Sequence, residues 1–235
     1  MKARLALLCC ALWMTAGAAA GADTVARVTH LSGVLSARHA DGGSTVLAVG
    51  SEVREGDLLA TEKGAYARIK FVDDAEVVLR PGSQLQVDRY AYEAARPDND
   101  SVVLNMLKGG MRAVTGLIGA RNKESVRFIT PTATIGIRGT HFGALYCMGD
   151  CVNVPTVSGV APEDGLHLDV VSGVIWVNNA GGHTEYTAGQ FGYVPNATTL
   201  PAIVPPERGF QVTMPTHISD NRGANKSSGT DCVAN

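Results

Sequence analysis

An all-β fold, an antiparallel sandwich or roll of many short strands, is what three observations predict. Short apolar and β-branched segments alternate with turn residues along most of the chain. Glycine makes up 27 of 235 residues, above the usual ~7%, and is scattered rather than periodic, so turns are many. Helical spacing is approached over Met111 to Gly119, at Met111, Val114, Leu117 and Ile118. Gly109, Gly110, Gly116 and Gly119 crowd a helix that short, so this stretch is assigned to strand and loop.

The chain starts with an address label. Lys2 and Arg4 form a basic region, Leu5 to Met14 a short apolar run, and Ala20-Gly21-Ala22 a small-residue cleavage site before Asp23. The apolar run is shorter than the ~20 residues a spanning helix needs, so residues 1–22 are expected to be a signal peptide cleaved after Ala22. Cys9 and Cys10 lie inside the apolar run rather than after it, which argues against lipidation. No later segment reaches spanning length, and the expected location is periplasmic or secreted.

Strand follows strand from there. Val25 to Leu35 is apolar and broken by Ser32-Gly33; Asp41-Gly42-Gly43 is a hairpin turn into Ser44 to Ala48. Val49 to Val53 and Gly56 to Leu59 look like short edge pieces. The cleanest alternation sets Ala67, Ile69 and Phe71 on one face against Tyr66, Arg68 and Lys70 on the other, the mark of a half-buried antiparallel strand. Asp73-Asp74 turns it back into Val77 to Leu79, and Pro81-Gly82 turns again into Leu85 to Tyr90. Glu93 to Asp100 is a polar loop, Ser101 to Leu107 an apolar run ended by Gly109-Gly110, and Leu166 to Val177 with Thr184 to Val194 a last hairpin pair. The expected domain therefore covers 23–194, and 195–235 is expected to be an extended, mostly disordered tail whose Phe210 to Met214 touch the core.

Between these lies Thr130-Pro-Thr-Ala-Thr-Ile-Gly-Ile-Arg-Gly-Thr-His-Phe142, a strand entered through a proline. Pro131 gives no amide hydrogen and belongs at a strand's first residues or at an edge. Ala133, Ile135 and Ile137 fall on one face; Thr134, Gly136, Arg138 and Thr140 fall on the other. Gly136 and Gly139 mark a bulge or a close backbone approach. Arg138 is a charged fork among small neighbours, and two roles suit it: stapling adjacent strands through carbonyls or a carboxylate, or receiving an anionic ligand together with Thr140.

Charge and cysteines narrow the function. Twenty basic residues stand against 22 acidic ones; loss of Lys2 and Arg4 with the leader leaves 18 against 22, which attracts neither nucleic acid nor an anionic membrane. Cys147 and Cys151, in C-x-x-x-C spacing, are expected to close a disulfide that shapes a tight loop, with Cys232 left over near the C-terminus. The dispersed histidines offer no metal site, and no cofactor is expected. Asp57 and Asp73 sit where an aspartate bonds turn amides. Lys108 before Gly109-Gly110 is a poor phosphate loop, since no Gly-Lys-Ser/Thr follows.

The order of several motifs resembles one family. Gly50-Ser-Glu-Val-Arg-Glu-Gly-Asp57, Thr61, Ala67 to Asp73, Leu79-Arg-Pro-Gly-Ser-Gln-Leu85, Leu107-Lys-Gly-Gly110 and Thr130 to Thr140 are similar to the FecR domain. The similarity covers about Val49 to Cys151, with Gly56, Asp57, Asp73, Gly110, Thr130, Pro131, Gly136 and Gly139 as its motif residues. It differs in carrying Asp73-Asp-Ala75 where the family usually has Asp-Gly-Ser, and a cleavable signal where the family's namesake has an anti-sigma segment and a membrane helix. The resemblance implies an all-β extracytoplasmic module, not an enzyme, that senses or binds through envelope protein partners. A secreted or surface-attached scaffold, and a hydrolase, are the alternatives.

Overall fold

In a computed structural model the described residues are 23–154, 156, 159–215 and 218. The leader, Cys232 and the last part of the tail lie outside them. Among the described residues no helix is long and apolar enough to cross a membrane.

Eight strands come first: β1 (Thr24–Ser32), β2 (Leu35–Arg38), β3 (Ser44–Leu47), β4 (Glu52–Arg54), β5 (Leu58–Thr61), β6 (Tyr66–Phe71), β7 (Glu76–Leu79) and β8 (Gln84–Ala91). Three long strands follow, β9 (Ser101–Val114), β11 (Thr134–Cys147) and β12 (Gly165–Asn179), with the short β10 (Val126–Ile129) between the first two. The chain then adds β13 (Gly182–Thr187), β14 (Phe191–Val194) and β15 (Ala202–Val204). All belong to one sheet.

The long strands let one sheet do the work of two, because each changes neighbours along its length. The first half of β9 lies between β8 and β10, its second half between β7 and β11. Likewise β12 pairs with β13 through Val174–Asn179 and with β14 through Leu166–Asp169. The two halves close on one another: Phe71 of β6 stacks on Tyr90 of β8 at 4.4 Å, and Phe128 of β10 meets Phe142 of β11 edge-on at 5.2 Å. A single apolar cluster running from Val25 to Val194 fills the interior. The expected sandwich is thus one sheet folded over itself, all-β as the alternation implied.

Several local expectations need correction. β9 and β10 pair in parallel rather than antiparallel, since segment 115–125 crosses over between them instead of forming a hairpin. That crossover holds a short helix, α1 (Leu117–Arg121), where strand and loop were expected. Gly109-Gly110 does not end the apolar run, because β9 continues through both to Val114. β5 is not an edge piece but lies between β2 and β8. Pro131 sits in a turn rather than in a strand: Thr130 and Ala133 close it through their backbones and the Thr130 hydroxyl.

The alternation of β11 holds to Arg138 and then breaks. Gly139, at φ +59°, forms a bulge where pairing with β12 shifts register, so Thr140 is buried while Arg138 stays exposed. Gly173 opposite has φ +79°, and a Cβ there would sit 2.1 Å from the Gly139 carbonyl oxygen. The glycine pair is what lets the two backbones pass.

The first part of the expected tail is packed. β15 pairs with β14, and Phe210 and Val212 are buried against Leu145 and the Cys147–Cys151 pair. Val212 is held by its peptide group. Its N–H donates to Asp169 Oδ1 (2.9 Å), and its carbonyl accepts from Arg112 Nε (3.0 Å). Arg112 Nη2 also donates to Asp169 Oδ2 (2.6 Å), and its Nη1 to His141 Nε2 (3.0 Å), so the His141 proton sits on Nδ1. The ion pair is nearly buried, and its strength comes from being fully bonded.

Candidate functional site

Four turns that are far apart in sequence meet at one end of the folded sheet. They are the β5–β6 turn at Lys63-Gly64, the β7–β8 turn at Arg80-Pro81-Gly82, the Lys108-Gly109 bend in β9, and the loop from Cys147 to Val154. A buried hydroxyl ties the first three together. Ser83 Oγ donates to the Gly110 carbonyl (2.8 Å) and accepts from the Gly110 amide (2.9 Å), while the Ser83 amide donates to Thr61 Oγ1 (2.9 Å). A Cβ on Gly110 would lie 2.8 Å from Leu145 and 3.2 Å from Arg80, so only glycine lets β9, β11 and the Arg80 turn come this close.

Above that knot is a cleft of about 570 Å³. Lys63, Tyr66, Arg80 and Lys108 line it, with Asp150 on the disulfide loop as its acid. Arg80 Nη1 is buried and has no hydrogen-bond partner among the described residues. Burial pushes the guanidinium below its ordinary range, and the Tyr66 hydroxyl only partly offsets this. An orphaned buried N–H of this kind costs about 1–3 kcal/mol. Lys108 Nζ lies 3.6 Å from Asp150 Oδ2, a half-exposed pairing worth little. The Asp150 carboxylate is held by the Met148 amide (3.0 Å), inside the loop that the Cys147–Cys151 disulfide closes.

The residues singled out from sequence are spread over the fold. Gly56 and Asp57 form the β4–β5 turn: Asp57 is buried and accepts from the Arg54 amide (2.9 Å) and pairs with His39 (2.7 Å). Asp73 is buried and takes three donors, the amides of Ala75 (3.1 Å) and Ile118 (3.1 Å) and the Tyr90 hydroxyl. Burial first, then Asp73, pushes Tyr90 far above the ordinary tyrosine range. The family's usual glycine in this turn is replaced by Asp74, which stands at φ +65°, the one non-glycine in that region among the described residues.

Thr130 and Pro131 make the turn before β11, and Gly136 lies under the Trp176 ring, where a Cβ would come within 2.1 Å. Thr140 is clasped to Thr115, whose hydroxyl accepts from its amide (2.9 Å) and donates to its carbonyl (2.9 Å). Arg138 is exposed and, among the described residues, its side chain makes no hydrogen bond or ion pair, so the structure lends the stapling reading no support. The stapling arginines are others: Arg112 on Asp169, Arg68 on Glu76, and Arg121, which grips Asp100 through two nitrogens at 2.7 and 2.9 Å. Although burial alone would raise the Asp100 carboxyl, Arg121 and the Glu93 amide hold it below its usual range. Of the residues singled out from sequence, Cys151 lines the cleft, and Gly110 follows its Lys108-Gly109 wall. Lys63, Arg80 and Lys108 went unselected, though each sits beside or one residue from a turn glycine.

The model of the family described as FecR protein matches residues 57–162. Those residues are similar to a FecR domain. The match spans β5 through β11 and takes in all four turns of the cleft, whereas β1 to β4 and β12 to β15 lie outside it. No curated protein matches the chain. Two crystal structures of a candidate anti-sigma factor from Parabacteroides distasonis ATCC 8503, at 1.65 and 2.50 Å resolution, are similar to it at 15% sequence identity, with TM-scores of 0.45 and 0.46. The similarity covers 63% of this chain and 58% of those chains, so the chain spans less than two thirds of their length. The matched family is itself regulatory and envelope-associated.

Proposed function

We propose that the chain is a non-catalytic sensing or binding module that works outside the cytoplasm and passes its signal through an envelope protein partner. The similarity to a FecR domain over residues 57–162 is the observation that carries this reading. Two features of the fold support it. The buried carboxylates Asp57, Asp73, Asp100 and Asp169 are each bonded to backbone amides or an arginine, which makes them structural rather than poised for proton transfer. β3 pairs only with β2 among the described strands and carries the exposed Val46, so an extended partner segment has an unpaired edge to join.

Transcript measurement tests the regulatory half. Deleting the gene shifts a confined set of transcripts, and the full-length chain restores them. An unchanged transcript profile together with an altered wall or outer surface would replace signalling with scaffolding.

A further inference from the structure

We propose that the cleft between Lys63, Arg80 and Lys108 binds a small anion bearing phosphate or carboxylate groups, which displaces Asp150 from its weak contact with Lys108. The proposal goes beyond the regulatory reading and stands on the geometry of the cleft alone.

Three cations from three separate turns converge on one concavity of about 570 Å³, a size that suits a small organic molecule. Arginine and lysine supply donors only, so what such a site receives is an acceptor, and negative charge is favoured. The protein itself meets this demand only in part, through the Tyr66 hydroxyl at Arg80 and Asp150 at Lys108. Arg80 has a buried nitrogen without an acceptor, and no carboxylate forms an ion pair with it among the described residues. Elsewhere in the fold, Arg68, Arg112 and Arg121 each have a carboxylate partner.

Asp150 is the one carboxylate lining the cleft among the described residues, and it engages Lys108 only at 3.6 Å. Its loop is short and closed by a disulfide, and among the described residues Asp150 forms an ion pair with Lys108 but none with Arg80. An incoming anion displaces a weak contact and gains two lysines and the arginine. Tyr66 adds a hydroxyl on the same wall. The arrangement differs from a phosphate-cradling loop, because side chains from distant strands supply the donors instead of consecutive backbone amides.

Titration calorimetry of the purified full chain with inorganic pyrophosphate and with succinate tests the proposal. Saturable binding of at least one is expected, and which one binds assigns the group as phosphate or carboxylate. The affinity falls as ionic strength rises. Lys63→Met with Lys108→Met, both exposed and outside the core, weakens binding at least tenfold at an unchanged melting temperature. Asp150→Asn tightens it at least threefold. Arg80→Gln removes binding, and because its stem packs near Gly110 the double lysine variant serves as the folded control. No saturable binding of either anion, or binding that the lysine and Asp150 variants leave unaltered, overturns it. A chain that binds neither anion yet still shifts its transcripts loses the cleft proposal and keeps the regulatory one; anion binding without any transcript effect does the reverse.

Discussion

Replacing Asp169 with alanine lowers the melting temperature by roughly 10 °C, the largest change expected from any single polar substitution in this chain. The carboxylate is 2% exposed and receives both Arg112 and the Val212 amide. Its removal leaves a nearly buried guanidinium without a counter-charge, a loss of about 3–5 kcal/mol. The strap at Phe210 to Val212 loosens too, because its one peptide bridge to the sheet loses half its bonds. Asp169→Asn keeps the shape and loses less. Calorimetric melting of the three proteins decides it, and a fall of under 2 °C for the alanine variant contradicts the clamp.

The same clamp sets a pH dependence. Burial first, and then Arg112, pushes His141 below the usual histidine range. The unfolded chain therefore takes up a proton near pH ~6.5 while the folded one resists it, so stability falls as pH drops below that point. His167, lowered by burial, acts in the same direction. His141→Gln preserves an acceptor for Arg112 and flattens the acid limb of a melting-temperature profile. An unchanged slope would show that His141 is not part of it.

Asp73→Ala is the second large effect, about 3–5 kcal/mol and a melting temperature lower by about 8 °C. One side chain joins three parts of the fold: the β6–β7 turn, the start of α1 and the buried hydroxyl of Tyr90 on β8. Alanine strands the Ile118 amide and the Tyr90 hydroxyl in the interior, where each orphan costs about 1–3 kcal/mol. Tyr90→Phe added to Asp73→Ala removes one orphan and recovers part of the loss, so the double-mutant cycle shows coupling of about 1 kcal/mol or more. Strict additivity of the two substitutions would separate Tyr90 from Asp73.

What the sequence made legible was local. Period-two alternation placed β6 at Tyr66–Phe71, Asp41-Gly42-Gly43 announced the β2–β3 hairpin, and C-x-x-x-C spacing gave the Cys147–Cys151 disulfide. Pairings between distant residues were not legible. Arg112 and Asp169 are 57 positions apart, and nothing in either neighbourhood names the other. Arg138 looked like a staple because its neighbours are small; the Gly139 bulge instead leaves it on the surface. The cleft was hidden for a related reason. Lys63, Arg80 and Lys108 become one site only after the sheet folds over and Ser83 pins three turns together, and a pattern of side-chain periodicity carries no record of that closure.

Cross-linked capture of the tagged full-length chain from intact cells, followed by peptide identification of the cross-linked sites, tests the central claim most directly. The proposed regulatory role predicts capture of a discrete envelope regulator or transporter, joined at β3 or another reproducible face of the domain. Cross-links scattered over bulk wall material, with no recurring protein partner, would contradict it.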